Sequence, residues 1–302
     1  MRISSLYHSS AMLYQMNQNG ARLSKLMEQM ATQKRVNVPS DDPVASSRLV
    51  QLNREQSAID QYQNNITRLS GNLSTQEAHV TALSDQLLAL SDKLLAASND
   101  THSDKDMSGF GHEIKQMMES LVSVMNAKNE EGQFLFSGTK TNTQPVVWNE
   151  TSQQYEYQGN DATRSTTVAN GVTIEENVTI AGSFSDGNNN LSMLNLLKSV
   201  SDKLATPGSD YRDDLKTLLG DVRTASDNVA AVFTDLGGKQ NRISLLSEAH
   251  TDVKMAHEQV VQDLSAVDAA TSYVNIQLYT QAVQASNKSY MMISQLSLFN
   301  QM

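Results

Sequence analysis

The chain contains no cysteine, which excludes a disulfide framework, a thiolate metal site and a cysteine nucleophile together. Tryptophan occurs once, and hydrophobic residues make up only 39% of 302 positions, thin for one compact globule of this length. Proline occurs four times, and so little punctuation leaves room for long helices whose apolar residues form stripes. No run is long and apolar enough to span a bilayer. Met1 to Gly20 holds Ser, His, Tyr, Gln and Asn where a secretory signal would be continuously apolar, so export through a route without such a signal stays open. With 23 basic against 33 acidic residues, the formal charge of -10 argues against general binding to nucleic acid or an anionic membrane. Other proteins are the expected partners.

What is present divides into helix, sheet and helix. From Leu6 the positions Ser9, Leu13, Met16, Gly20, Leu23, Met27 and Met30 alternate spacings of three and four, a heptad seam seeking a partner helix. Pro39-Ser40-Asp41-Asp42-Pro43 must break that helix and can cap the next, which starts near Asp42. Its stripe runs through Leu49, Leu52, Ile59, Ile66, Leu69, Leu73, Val80, Leu87 and Leu94 to a polar break at Ser98 to Asp106, after which a helix is expected from about Met107 to Glu131. Between Gly132 and Asn190 the character turns to Gly, Thr, Asn, Val and aromatics. Val146-Val147-Trp148, Tyr155-Glu156-Tyr157, Thr166 to Ala169 and Val172-Thr173-Ile174 read as antiparallel strands, with Asn170-Gly171 as a type I′ turn. A charge at Tyr157 is therefore expected to disturb only an outer surface.

Helical spacing resumes at Leu191, breaks at Thr206-Pro207-Gly208, and is expected to loosen at Gly237-Gly238. From Leu264 it continues through Val267, Thr271, Val274, Leu278, Ala282, Ala285, Ser289, Met292, Leu296 and Phe299, with one extra step of four after Leu278. That implies a helix of about 40 residues, roughly 60 Å long. Lys288 is the only charge after Asp268, and Ile276, Tyr279, Val283, Tyr290 and Ile293 add apolar surface on other sides, more than one partner helix covers.

No catalytic constellation survives inspection. The histidines lie at 8, 79, 102, 112, 250 and 257, and none has the close spacing of a zinc motif. His102, Asp104, Asp106 and His112 read as a solvated polar break, and His250 and His257 lie two helical turns apart, about 10 Å, too far for one ion. Ser137-Gly138-Thr139 and Asp186-Gly187-Asn188 lack the Lys that follows in a phosphate loop. No enzyme activity, cofactor or metal is expected.

Several strings are more specific. The opening Met1-Arg2-Ile3-Ser4, the run Gln33-Lys34-Arg35-Val36 with Pro39-Ser40-Asp41-Asp42-Pro43, and Gln61-Tyr62-Gln63-Asn64-Asn65-Ile66 resemble the flagellar hook-associated protein 3 family. So do Gly132-Gln133-Phe134-Leu135-Phe136-Ser137-Gly138-Thr139 and the ending Ile293-Ser294-Gln295-Leu296-Ser297-Leu298-Phe299. One departure is Gln33, where that family usually has Gly, and it bears on the turn after the first helix. Flagellin shares helical ends, but its Asp-Asp-Ala-Ala and terminal Leu-Leu-Arg features are absent, which places flagellin or another axial subunit second and a secreted coiled-coil adaptor third.

The resemblance implies a mainly α, flagellin-like fold with a small β insertion, in which the two chain ends form a long coiled-coil bundle. Residues 1–41 and 262–302 would form the terminal inner-tube domain, 42–135 and 190–261 a helical bundle, and 136–189 an outward β-rich domain. It implies a structural subunit of the secreted, extracellular flagellum at the hook-filament junction, transiently cytoplasmic before type III export. The partners would be hook-associated protein 1, flagellin, further copies of the chain in a ring or tube, and a flagellar export chaperone. The assembly interface would comprise Leu6, Leu13, Met16, Leu23, Met27, Met30, Leu264, Val267, Val274, Leu278, Met292, Leu296 and Phe299. The chaperone would take Val274, Leu278, Val283, Ile293 and Leu296.

Overall fold

Long apolar stripes and few breakers produce a chain of mainly helical elements, in a computed structural model that describes residues 2–99, 102–184, 191–206 and 210–299. In chain order these are α1 (Arg2–Thr32), α2 (Pro43–Ala97), α3 (Asp104–Met125), β1 (Val146–Asn149), β2 (Gln154–Tyr157), β3 (Ser165–Ala169), β4 (Val172–Glu175), α4 (Ala181–Phe184), α5 (Ser192–Ala205), α6 (Arg212–Ser265) and α7 (Ala269–Phe299). They divide into two compact units, residues 1–58 with 251–302, and residues 59–250.

The unit of 59–250 holds the main core. The expected α2 stripe is buried at Ile66, Leu69, Leu73, Val80, Leu87 and Leu94, and is met by Ile114, Met118 and Leu121 of α3, Leu194, Leu197 and Val200 of α5, and Leu218, Val222 and Val229 of α6. Helices α3 and α5 approach closely at Gly111, where a Cβ would lie 2.8 Å from both the Ala205 nitrogen and the Ser201 oxygen. Only a residue without a side chain fits there. The sheet region is two separate antiparallel hairpins, β1 with β2 and β3 with β4. Their inward residues Val146, Tyr157, Val168 and Ile174 join the helical core. Gln76 ties α2 to the stretch after β4, donating to the Glu176 carbonyl (2.8 Å) and accepting from the Val178 N–H (2.9 Å).

Five local expectations change. Helix α3 begins at Asp104, because Ser103 and Asp106 form a capping box, and it ends at Met125. The polar break thus supplies a helix start. The β3–β4 turn sits at Asn170-Gly171, but only Gly171 takes a positive φ (71°), so the turn is not type I′. Gly237-Gly238 does not interrupt α6. Buried Leu236 and Ile243 on either side, with Lys239 paired to Asp235 and Glu175 (2.8 and 2.9 Å), outweigh a cost of about 1 kcal/mol for each glycine. The 40-residue terminal helix is instead cut after Ser265, leaving α7 with 31 residues. Asp268 caps the new start by accepting from the Ala270 and Thr271 N–H groups (3.0 and 3.1 Å). Finally, Tyr157 is buried, and its hydroxyl donates to the Phe136 carbonyl (2.9 Å), so it is a core residue and not part of an outer surface. Burial holds that hydroxyl well above the ordinary tyrosine pKa.

Candidate functional site

In the unit of 1–58 and 251–302, α1 and α7 pack side by side. Lys34 bridges to Ala266 and the Arg22 guanidinium donates to the Tyr279 hydroxyl (3.3 Å), so the two helices run antiparallel. The contact between them is narrow. On α1 it half-buries Leu13, Met16, Leu23 and Met30 around a buried Asn19. On α7 the residues turned away from solvent include Ser272, Ile276, Tyr279, Val283, Ser286 and Tyr290, spaced four, three, four, three, four, with Asn275, Thr280, Ala282 and Ser289 half-buried beside them. This is a second heptad stripe, present in the spacing of the sequence but offset from the one through Val274 and Leu278. Asn19 of α1 and Ser272 of α7, both buried, carry no apolar signal, and only Ser272 could be found by counting along this second stripe.

The remaining expected interface residues are placed differently. Val274 and Leu278 are 56% and 57% exposed, and Met27 and Met292 are exposed as well. Leu264 and Val267 are half-buried near the start of α7. The side chains of Leu6, Ile293, Leu296 and Phe299 lie outside the described residues. Of the 18 large hydrophobic side chains exposed among the described residues, 14 belong to this unit, although it holds little more than a third of the chain. They include Tyr7 and Tyr14, one heptad apart on α1, and Val44 at the start of α2, which is 81% exposed. Exposed large apolar side chains are thus concentrated in this unit.

Charge divides the same way. This unit carries 9 basic and 8 acidic residues, a net of +1, while residues 59–250 carry 14 and 25, a net of -11. Many copies of a nearly neutral unit can pack closely without accumulating repulsion, whereas an acidic one is kept soluble and apart.

Two connectors close the unit, one of residues 33–42 and one of 266–268. Asp41 pairs with Lys25 (2.7 Å) and accepts from the Asn37 and Val38 N–H groups (3.0 and 3.1 Å). The Lys25 ammonium and then the two N–H groups pull its carboxyl down to about 2. Asp42 accepts from the Ala45 N–H and from Arg35, both at 3.0 Å, and these hold its carboxyl below the usual range too.

Among the described residues no group of three or more His, Asp or Glu is placed to hold a metal ion. His250 is stacked on Tyr62 and bonded to the Val168 carbonyl (2.7 Å), and His257 lies 3.5 Å from Glu55. No described helix is long and apolar enough to cross a membrane.

Comparison with known proteins points to one group. Residues 3–141 match the bacterial flagellin N-terminal helical region. Flagellar hook-associated protein 3 of Escherichia coli K12 is 29% identical, over 96% of this chain and 98% of that protein. A solved structure of a flagellar hook-associated protein from Vibrio parahaemolyticus is 36% identical, with a TM-score of 0.69, covering 75% of this chain and 100% of its own. The flagellar junction protein FlgL of Legionella pneumophila is 17% identical with a TM-score of 0.58, covers 72% and 100%, and shares the fold.

Proposed function

From the premise that this chain belongs to the flagellar hook-associated protein 3 family, a family of non-enzymatic structural proteins of the hook-filament junction, we propose that its neutral unit of 1–58 and 251–302 is the assembly surface. As a member of that family it associates with other components of the extracellular flagellum. Its specific neighbours, in this reading, are hook-associated protein 1 on one side and flagellin on the other, with further copies of the chain beside it in a ring or tube. The observation that carries the reading is the concentration of 14 of the 18 exposed large hydrophobic side chains in that one unit. Val274, Leu278 and Met292 of α7, with Met27 of α1, are left uncovered by the α1–α7 contact and are available to neighbouring subunits. Leu6, Leu296 and Phe299 extend the same stripes by sequence spacing. The domain division into 1–41 with 262–302, 42–135 with 190–261, and 136–189 belongs to the same proposal.

The test is electron microscopy of cells lacking the protein. Hooks without attached filaments, and flagellin lost to the medium, are expected. Normal filaments would sink the reading.

An export chaperone fits the same physics, because α7 with one face bare would polymerise early or aggregate before secretion. Its binding residues would be Val274, Leu278, Ile293 and Leu296, with Val283, half-buried on the α1-facing stripe, reached only once α1 is displaced. Removing residues from Val274 onward should abolish capture by a copurified flagellar chaperone, and undiminished capture would move the site elsewhere.

A further inference from the structure

The stretch Pro39-Ser40-Asp41-Asp42-Pro43, with Arg35 before it, does more than end one helix and start another. The Arg35 backbone N–H donates to the Ser265 carbonyl (2.7 Å), at the point where α6 stops. Its guanidinium divides between the two ends of the chain: Nη1 donates to Asp42 Oδ2 and Nη2 to the Leu264 carbonyl, each at 3.0 Å. The carbonyl of Arg35 accepts from Gln29 of α1 (2.6 Å). Asp42 is divided as well, with Oδ1 holding the Ala45 N–H at the start of α2 while Oδ2 holds Arg35. One side chain therefore touches the last turn of α6 and the cap of α2, and its backbone is held by the last turn of α1. The side chain is 46% exposed, and an exposed ion pair alone would contribute little. The planar guanidinium, spanning a carboxylate and a carbonyl in fixed directions, supplies geometry more than energy.

We infer that Arg35 is a positioning residue: it fastens the connector 33–42 to the last turn of α6, directly before the connector 266–268, in one joint, so that α1 and α7 leave α2 and α6 as a pair with a set direction. The consequence for assembly rests on the function proposed above; the joint does not. Arg35→Ala keeps the backbone bond to Ser265 and should still fold. Amide hydrogen exchange on the full-length protein should then be faster by about tenfold across 35–38 and 266–271, and unchanged in the core of 59–250. Lysine keeps the charge but cannot reach both acceptors at once, so Arg35→Lys should resemble Arg35→Ala. Asp42→Asn retains the oxygen that caps α2, so it should free Arg35 from α2 alone and speed exchange across 35–38 while Ala45 to Leu49 stay protected. In a deletion strain, Arg35→Ala should leave few filaments attached where the wild type restores them.

Unchanged exchange in Arg35→Ala would overturn the joint whatever the filaments do. Faster exchange with normal filaments would overturn its positioning role. Loss of protection at Ala45 to Leu49 in Asp42→Asn would overturn the division between cap and clasp. A wild-type gene that fails to restore filaments would strike the proposed function and leave the exchange result standing.

Discussion

Gln33 stands at the end of α1 with φ of 56°, in the left-handed region that costs an L residue about 1–2 kcal/mol. Glycine there avoids that steric cost but loses more backbone entropy on folding, about 0.5–1 kcal/mol. The balance favours Gln33→Gly by roughly 0.5–1 kcal/mol, because the turn is held open by its neighbours: Lys34 bridges to Ala266 and Arg35 to Ser265. Denaturant unfolding of the unit of 1–58 and 251–302 should shift to a higher midpoint with an unchanged slope. A lower midpoint would mean that the glutamine is held by something other than backbone geometry. The glutamine at this position, visible in the sequence as an oddity, is therefore a small local strain at the end of α1.

Helix α3 offers a matched pair of glycines. At Gly111 a Cβ would meet the backbone of Ser201 and Ala205 in α5 at 2.8 Å, and backbone cannot swing aside as a side chain can. Gly111→Ala should cost about 1–3 kcal/mol, since α5 must retreat, despite a helix-propensity gain of about 1 kcal/mol. At Gly109, two residues earlier and on the opposite, exposed side of the helix, nothing lies within 4 Å. Gly109→Ala should therefore stabilise by up to about 1 kcal/mol. Thermal unfolding of the two variants separates the effects, and equal shifts would show that α3 and α5 are not in the contact described. Periodicity marks α3 as a helix but is silent on which of its glycines faces a neighbour.

For the whole molecule, folding and assembly use different parts of the surface under the proposed function. Leu278 is 57% exposed on α7, so Leu278→Asp buries no charge in the isolated chain and should leave its unfolding temperature within a degree or so of wild type. In an assembled junction the same carboxylate would sit in an apolar contact without a partner, at a cost of several kcal/mol, and filament attachment should fail. Normal attachment in a deletion strain would remove Leu278 from the interface. Tyr157→Asp is the contrasting case. It is buried in the core of 59–250, so that variant should unfold the unit itself.

Spacing of apolar residues in this chain was enough to read long helices, four short strands with one hairpin turn, and a neutral, amphipathic carboxyl-terminal helix, because each is written in nearest-neighbour geometry: 3.6 residues per turn, alternate faces of a strand, a proline or a cap at each break. The family resemblance was also legible, since its motifs are contiguous strings. The chain could not tell which of two heptad stripes on α7 faces α1. Both Ser272-Ile276-Tyr279-Val283 and Val274-Leu278 have the right period, and the choice shows in Arg22 of α1 reaching Tyr279 of the first. Nor could it show that Gly237-Gly238 would stay helical or that α6 would stop at Ser265. Those outcomes rest on Lys239 reaching Glu175 and Arg35 reaching Leu264 across more than 60 and 200 residues of chain, and contacts so distant have no local signature.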